Sequence, residues 1–327
     1  MAMRPELAVI DVARMHGLEI GPLASPRVRK DEGPVRYVDH ASADELRQKY
    51  SNDRAMQNSL DQIVEVDYLV GENKSLSEAV ARDAPFEYVI ASHVIEHIPD
   101  PVGWLADVAN VLTPGGILSL VIPDKRYCFD INRALTEISD IVDAHLRQLR
   151  RPSFRQAYDF WSKSIGGMVD TAAVWAGTAQ YSGVVRQDFD DPDAAALEAC
   201  REMQESDQFV DVHCHVFTPD SFLALFEQMA RLKLIDFEMA ELFPTEFNNL
   251  EFYVSLRRLD PLTSRDVMLE RQRASAARAR AQVQSRGPVS TRAQSSLSVM
   301  EVSERERRLL DFKRRWLGRL RSLLRRG

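Results

Sequence analysis

The run from Phe86 to Asp124, FEYVIASHVIEHIPDPVGWLADVANVLTPGGILSLVIPD, does most to limit what this chain can fold into. It opens with a brief β-branched and aromatic strand, FEYVIAS, and closes with a continuous apolar one, ILSLVIPD. Between them Leu105, Val108, Ala109 and Leu112 fall on one face of a helix over 102–112, which TPGG stops. Strands apolar throughout are covered on both sides, so this strand, helix, strand order predicts a parallel sheet with helices on two faces.

The same rhythm is read on both sides of that run. An amphipathic helix over 6–16 feeds a short strand at Leu18–Ile20, and further strands are predicted in VRYVDH (35–40) and QIVEVD (62–67). After Asp124 the rhythm breaks. Residues 125–215 are too many for an ordinary connection and must carry structure of their own, beginning with a helix from an Asp130 cap to about Leu149. Thr218-Pro219 then opens a helix with a hydroxyl cap and proline in the first turn. LKLIDFEMAEL and NLEFYVSLRRL follow as two strands with no helix between them, hence an antiparallel pair.

Beyond Pro261 the composition shifts to Ala, Arg, Gln and Ser, and 261–300 reads as a flexible linker whose first part has the propensity of an exposed helix. In 301–327 a basic amphipathic helix is predicted, with Phe312, Trp316, Leu320, Leu323 and Leu324 on one face. From Phe312 to Gly327 there are seven Lys or Arg and no acid, a pattern that suits an anionic membrane surface; docking on a protein partner is the alternative.

The net charge of −7 argues against nucleic acid as a partner. There is no apolar run near the ~20 residues that cross a bilayer, and MAMRPELAVIDVARMHG lacks a signal peptide's apolar core, so a cytoplasmic location is expected, with peripheral attachment through the tail. Cys128, Cys200 and Cys214 have no C-x-x-C spacing and indicate neither disulfides nor structural zinc.

In an open α/β sheet ligands bind beyond the carboxyl ends of the strands. Those ends read Glu19-Ile20-Gly21, Asp39, Asp67 and Ser92-His93. An acid after the second strand suits the hydroxyls of a ribose, although Asp39 also suits a turn start. At these residues the chain resembles class I S-adenosylmethionine-dependent methyltransferases of the small-molecule type. The Phe86–Asp124 run is similar to their fourth and fifth strands, with a Glu-His pair, a helix and a proline-glycine-glycine turn in that order. LEIGP is similar to their first motif, and the closing strand pair fits as well.

The resemblance implies a doubly wound, mostly parallel seven-stranded Rossmann-like sheet over 1–260, with 125–215 inserted as a lid over the acceptor. It also implies S-adenosylmethionine as cofactor. Glu19 would then serve its methionine amino group, Gly21 the close backbone approach, Asp39 the ribose and Asp67 the adenine, with Ser92 and His93 bordering the methyl. Glu96 and His97 belong to the pattern, with a structural role as the alternative. Leu23 and Ser25 stand where the family usually carries two more glycines.

Methyl transfer to a hydroxyl gains from a general base. In FVDVHCHVF, alternation sets Asp211, His213 and His215 on one strand face, so His213, His215 and His93 are the base candidates; a solvent-facing strand side is the alternative. Two such histidines lie about 7 Å apart, compatible with a shared metal alongside Asp211, but no metal is assigned. Tyr127, Phe129, Trp161, Trp175 and Tyr181 offer rings for a sugar or small molecule, or a small core. Asp124, Lys125 and Arg126 follow the fifth strand, where they would orient an anionic acceptor or be solvated.

The expected function is therefore methyl transfer to a small-molecule or glycan acceptor, with an envelope polysaccharide suiting the membrane-seeking tail. A non-catalytic methyltransferase-like scaffold tethered by that tail is the alternative. A nicotinamide oxidoreductase is disfavoured, because G-x-G-x-x-G is absent after the first strand.

Overall fold

The structure, a computed structural model, describes residues 4–51, 58–71, 74–165, 169–181, 183, 189–206 and 209–285. The predicted helix at 301–327 and the linker beyond Ser285 lie outside the described residues.

Seven strands form one sheet: β1 (Gly17–Ile20), β2 (Val35–Asp39), β3 (Tyr68–Leu69), β4 (Phe86–Ser92), β5 (Leu112–Pro123), β6 (Phe237–Phe243) and β7 (Glu251–Arg258). Their spatial order is β3-β2-β1-β4-β5-β7-β6. The first five are parallel, and β7 runs antiparallel between β5 and β6. The predicted doubly wound sheet with its closing antiparallel pair is thus present.

Nine helices are described: α1 (Ala43–Tyr50), α2 (Leu76–Val80), α3 (Pro101–Val111), α4 (Ile138–Leu146), α5 (Phe154–Lys163), α6 (Thr171–Trp175), α7 (Pro192–Glu205), α8 (Pro219–Arg231) and α9 (Arg265–Ser285). Among the described residues no helix is long and apolar enough to cross a membrane. The start of α8 follows the sequence: Pro219 sits in the first turn and the Thr218 hydroxyl accepts from the Ser221 amide.

Burial on both faces explains the apolar strands. On β4, Val89 and Ala91 face the main core, where α3 adds Leu105 and Val108 and α8 adds Phe222 and Phe226. Tyr88 and Ile90 face the second core with Tyr37, Ile117, Ile10 and Leu7. That second layer is made by the N-terminal segment without the predicted α-helix. It holds a 3₁₀ turn at Pro5–Leu7 and then turns, and the Ser119 hydroxyl donates to the Glu6 carbonyl at 2.7 Å, pinning the segment to β5.

Three further expectations change. QIVEVD is no strand: it leaves a 3₁₀ turn at Leu60–Gln62, and its Ile63 and Val66 pack with Leu46 and Tyr50 of α1. The inserted segment does not start a helix at Asp130, because that carboxylate is buried and bonded to side chains; α4 begins after Glu137 instead. Residues 265–285, expected as linker or exposed helix, form α9 packed on β6 and α8. Here Gln272 Nε2 donates to the Ile235 and Phe237 carbonyls, and Ser275 Oγ accepts the Met239 amide. The helix covers the outer edge of β6 and satisfies polar groups that would otherwise attract another strand. The small residues of its apolar side, Ala276 and Ala279, belong to the main core, which the low hydrophobicity of the segment conceals.

Candidate active site

The carboxyl ends of β1, β2 and β4 meet on one rim. Gly21 follows β1 in the left-handed region (φ 64°), its amide donating to the Val38 carbonyl of β2. A Cβ built there would have only Val94 Cγ2 in reach, at 3.9 Å, so the backbone is open to a ligand. Asp39 ends β2. Its Oδ1 accepts from the His40 amide and from His40 Nδ1, both at 2.7 Å, and Lys49 donates to His40 Nε2 at 2.9 Å. No described residue engages the second Asp39 oxygen, which leaves it for a ligand hydroxyl.

Two expected cofactor residues are occupied differently. Glu19 is almost fully buried, and its carboxylate accepts the backbone amides of Arg27 at 2.6 Å and Val28 at 3.0 Å. An acid expected to face a ligand therefore folds the 21–34 loop back on the sheet, standing in for the glycine-rich turn this chain lacks. Ser92 accepts from Arg27 Nε at 3.1 Å and Nη2 at 2.9 Å, so its hydroxyl oxygen is already spent on that loop.

Asp67 is a plain correction. It precedes β3 rather than ending it, level with Tyr37, whose amide it accepts at 2.8 Å, and it pairs with Lys30 at 2.9 Å. The rim on that strand falls at Val70, bonded to the Asp39 carbonyl. Asp67 thus lies below the rim and fastens a loop.

His93 follows β4 with φ at 56°, a left-handed conformation uncommon outside glycine. Its Nε2–H donates to Glu251 Oε2 at 2.6 Å, while its Nδ1 stands 3.4 Å from Glu96 Oε1. Glu251 opens β7 and also accepts from Tyr253 at 2.9 Å and from Arg27 at 3.4 Å. Burial alone would raise the Glu251 carboxyl, but Arg27 and then His93 outweigh it and hold the group down at about 2. The buried Arg27 and Glu251 and the partly buried Ser92 and His93 form one polar unit joining the first loop to β4 and β7.

The segment read as a half-buried strand is an extended chain outside the sheet until Phe217, which bridges to Asp124. Both of its faces are covered: Val212, Cys214 and Val216 are buried, and so are His213 and His215. His215 is corrected most. Its ring lies among Pro99 and Phe217 rather than on a polar face, Nε2–H reaching the Pro99 carbonyl at 3.3 Å. Burial keeps it uncharged, its pKa lowered to about 4. Its amide donates to the Glu96 carbonyl at 3.1 Å, so it positions Glu96 from behind.

His213 points the other way. Its Nδ1–H donates to Asp130 Oδ2 at 2.5 Å, and Asp130 in turn accepts from the buried Arg133 at 2.9 Å. His97 mirrors this arrangement, with Nδ1–H donating to Asp211 Oδ1 at 2.6 Å. The two rings meet edge to face at 4.6 Å. Desolvation resists ionisation of Asp211, but His97, and after it His213 and Lys49, hold it down at about 2. Burial lowers the Lys49 ammonium, and both Asp211 and Asp39 act against that shift, so the two carboxylates lie within electrostatic reach of one lysine.

The inserted aromatics divide. Phe129 and Trp161 enter a small core with Phe160. Tyr127 stacks on Trp175 at 4.2 Å and 8°, and Trp175 meets the half-exposed Phe247. Tyr181 accepts the Asp170 amide through its hydroxyl. Of the charges after β5, Arg126 chelates Asp124 and Lys125 donates to the Arg133 carbonyl, so neither is held out for a ligand.

Arg27, Glu251 and Lys49 were not singled out from the sequence, and Asp130 was read only as a helix cap. Only Glu251 left a signal, as an acid at the head of the otherwise apolar EFYV strand.

A family profile described as a methyltransferase domain matches residues 7–162. No curated protein matches. Among solved structures, a S-adenosylmethionine-dependent methyltransferase from Methanosarcina mazei is 14% identical, covering 79% of this chain and 99% of its own, with a TM-score of 0.37. One from Mesorhizobium loti is 13% identical, with 76% and 93% covered and a TM-score of 0.36. The CurJ carbon methyltransferase is 14% identical at a TM-score of 0.34; the match takes in 76% of this chain and about half, 50%, of that one. The sheet order β3-β2-β1-β4-β5-β7-β6 with β7 reversed, and the profile match over its first five strands, identify residues 7–162 as a methyltransferase domain of Rossmann-like fold.

Proposed function

We propose that this protein transfers a methyl group from S-adenosylmethionine to a small-molecule or glycan acceptor. The observation that carries the reading is the rim itself: an open Gly21 backbone and an Asp39 carboxylate with one oxygen unengaged by any described residue, side by side at the ends of β1 and β2. Those two residues fit a nucleoside, and His93 borders the same rim from β4. Glu19 and Ser92, turned to the chain's own loop, are not part of the proposed contact set, and neither is Asp67.

The bound cofactor supplies an electrophilic methyl on a good leaving group, so the protein's task is mainly alignment, which contributes about 7 to 11 kcal/mol in well-oriented reactions. His93 is the proposed base. Glu251 fixes its Nε2–H, and an imidazolium formed by taking an acceptor proton would sit between the Glu251 and Glu96 carboxylates. The stacked Tyr127–Trp175 pair beside Phe247 supports an acceptor with a sugar or ring face.

Calorimetric titration with S-adenosylhomocysteine tests the reading. Saturable 1:1 binding is expected, and Asp39→Ala should weaken it about 10- to 150-fold by removing charge-assisted bonds of about 1.5–3 kcal/mol. An absence of binding at millimolar ligand would leave the scaffold alternative standing. For the tail, peripheral attachment to an anionic membrane is proposed from the seven basic residues of 312–327. Co-sedimentation with phosphatidylserine vesicles should be lost when 312–327 is deleted; equal pelleting of both forms sinks that part.

A further inference from the structure

We propose that Glu96, His97 and His213 form a binding site for one first-row divalent cation of borderline character, Zn²⁺ being the type case. The three side chains come from two distant parts of the chain, the turn after β4 and the extended segment of the insertion, and their donor atoms all lie within 4.8 Å of one another. Glu96 Oε1 is the hub: it stands 3.9 Å from His97 Nε2 and 4.0 Å from His213 Nε2. Donors bonded to one ion at about 2.1 Å stand at most about 4.2 Å apart. Three donors around one ion stand closer, about 3.4 to 3.6 Å apart, so on binding the Glu96 contacts close by about 0.3 to 0.6 Å and the His–His pair by up to about 1.4 Å.

Tautomers decide the matter further. His97 gives its Nδ1–H to Asp211, and His213 gives its own to Asp130. In each neutral ring this leaves the lone pair on Nε2, and both lone pairs point toward the Glu96 carboxylate. Three electron-rich atoms converging on one point call for a cation between them. A carboxylate on the far nitrogen is also the usual outer-shell partner of a metal-bound histidine, since it fixes the ring and raises its basicity. Here both rings have one, and Asp130 is itself anchored by Arg133 and Asp159 through that arginine.

The donor set selects the ion. Two imidazoles with one carboxylate suit Zn²⁺, Co²⁺ or Fe²⁺ and are poor for Mg²⁺ or Ca²⁺, which prefer oxygen alone. Glu96 and His213 are buried, whereas the His97 side chain keeps 23% of its surface exposed, which gives the ion a route in and a side on which to hold water.

The test reads binding without methyl transfer, so it stands or falls separately from the proposed reaction. The full-length protein, stripped with chelator, is titrated with Co²⁺. One equivalent should give visible d–d absorption with no thiolate charge-transfer band, micromolar Zn²⁺ should abolish it, and millimolar Mg²⁺ should not. Glu96→Gln and His97→Asn should each weaken uptake by at least about 100-fold, and Asp211→Asn by about 10- to 100-fold. His16→Asn, far from the cluster, should leave it unchanged. Circular dichroism checks that each variant folds; if Glu96→Gln does not, the partly exposed His97→Asn decides. Absence of the band in the parent protein, or uptake at parent affinity in His97→Asn, overturns the proposal.

Discussion

Replacing Arg27 by alanine is expected to lower the unfolding temperature by roughly 6 to 20 °C, from a loss of about 3–5 kcal/mol and about 2–4 °C per kcal/mol for a domain of this size. The guanidinium is buried and bonded to Ser92 and Glu251, with Glu6 at 3.9 Å. Taking it away strands charge that the remaining partners only partly neutralise. Glu251 keeps His93 and Tyr253, which argues for the lower half of that range. Glu6 keeps its Arg4 contact at 3.7 Å. Arg27→Lys should fall between parent and alanine, because one ammonium cannot reproduce the forked contact with Ser92. Adding Glu251→Gln to Arg27→Ala should recover part of the loss, since the abandoned charge is then gone. Thermal melts of the four proteins at pH 7 check this. A shift below about 2 °C for Arg27→Ala, within the range of an ordinary surface substitution, would refute the polar unit as a support of the first loop.

Periodicity and turn chemistry made the sheet legible. FEYVIAS, ILSLVIPD and the Thr218-Pro219 helix start each carry a local signal whose physics survives in the fold, because a strand buried on both faces needs apolar residues wherever it pairs. QIVEVD carried a similar alternation and formed no strand, its Ile63 and Val66 packing on α1 instead. Alternation reports burial on one side, and a sheet is only one way to supply it. The failure at α9 has the opposite cause: apart from Met268, its buried residues are Ala, Ser and Gln, which allow close helix-to-strand contact and which hydropathy does not register.

The candidate site was legible at the level of which residues and not of what they do. Glu19, Asp39, Ser92 and His93 do sit at strand ends, yet Glu19 and Ser92 are claimed by Arg27 and its neighbours, partners supplied by a loop with no periodic signal. Asp130 read as a helix cap because any aspartate before an apolar period does. Its actual role comes from His213, 83 positions away, and no local pattern encodes that pairing. His213 and His215 share a spacing of two, but the chain there twists outside the ladder, so one ring meets Asp130 and the other the Pro99 carbonyl.

The second large effect is on acid stability. The Glu251 carboxyl is lowered from 4.5 to about 2 on folding, burial being outweighed by Arg27 and His93. A lowered acid contributes stability in full above its unfolded value and loses it as pH falls toward the folded one. Between about pH 4.5 and 2 the unfolded chain takes a proton that the folded one refuses, so this group alone should cost about 1.4 kcal/mol per pH unit and about 3 kcal/mol across the window. Asp130, also held low against its burial by His213 and Arg133, steepens the same limb. The difference between parent and Glu251→Gln isolates the first contribution from the second. The variant should be weaker by a few kcal/mol at pH 7, and the gap should close steadily as pH falls from 4.5 to 2, because protonation makes the parent resemble it. Urea unfolding at intervals across that range measures the gap. If it stays constant down to pH 2, Glu251 is not held ionised by Arg27 and His93, and the polar unit that replaces the glycine-rich turn works by shape rather than by charge.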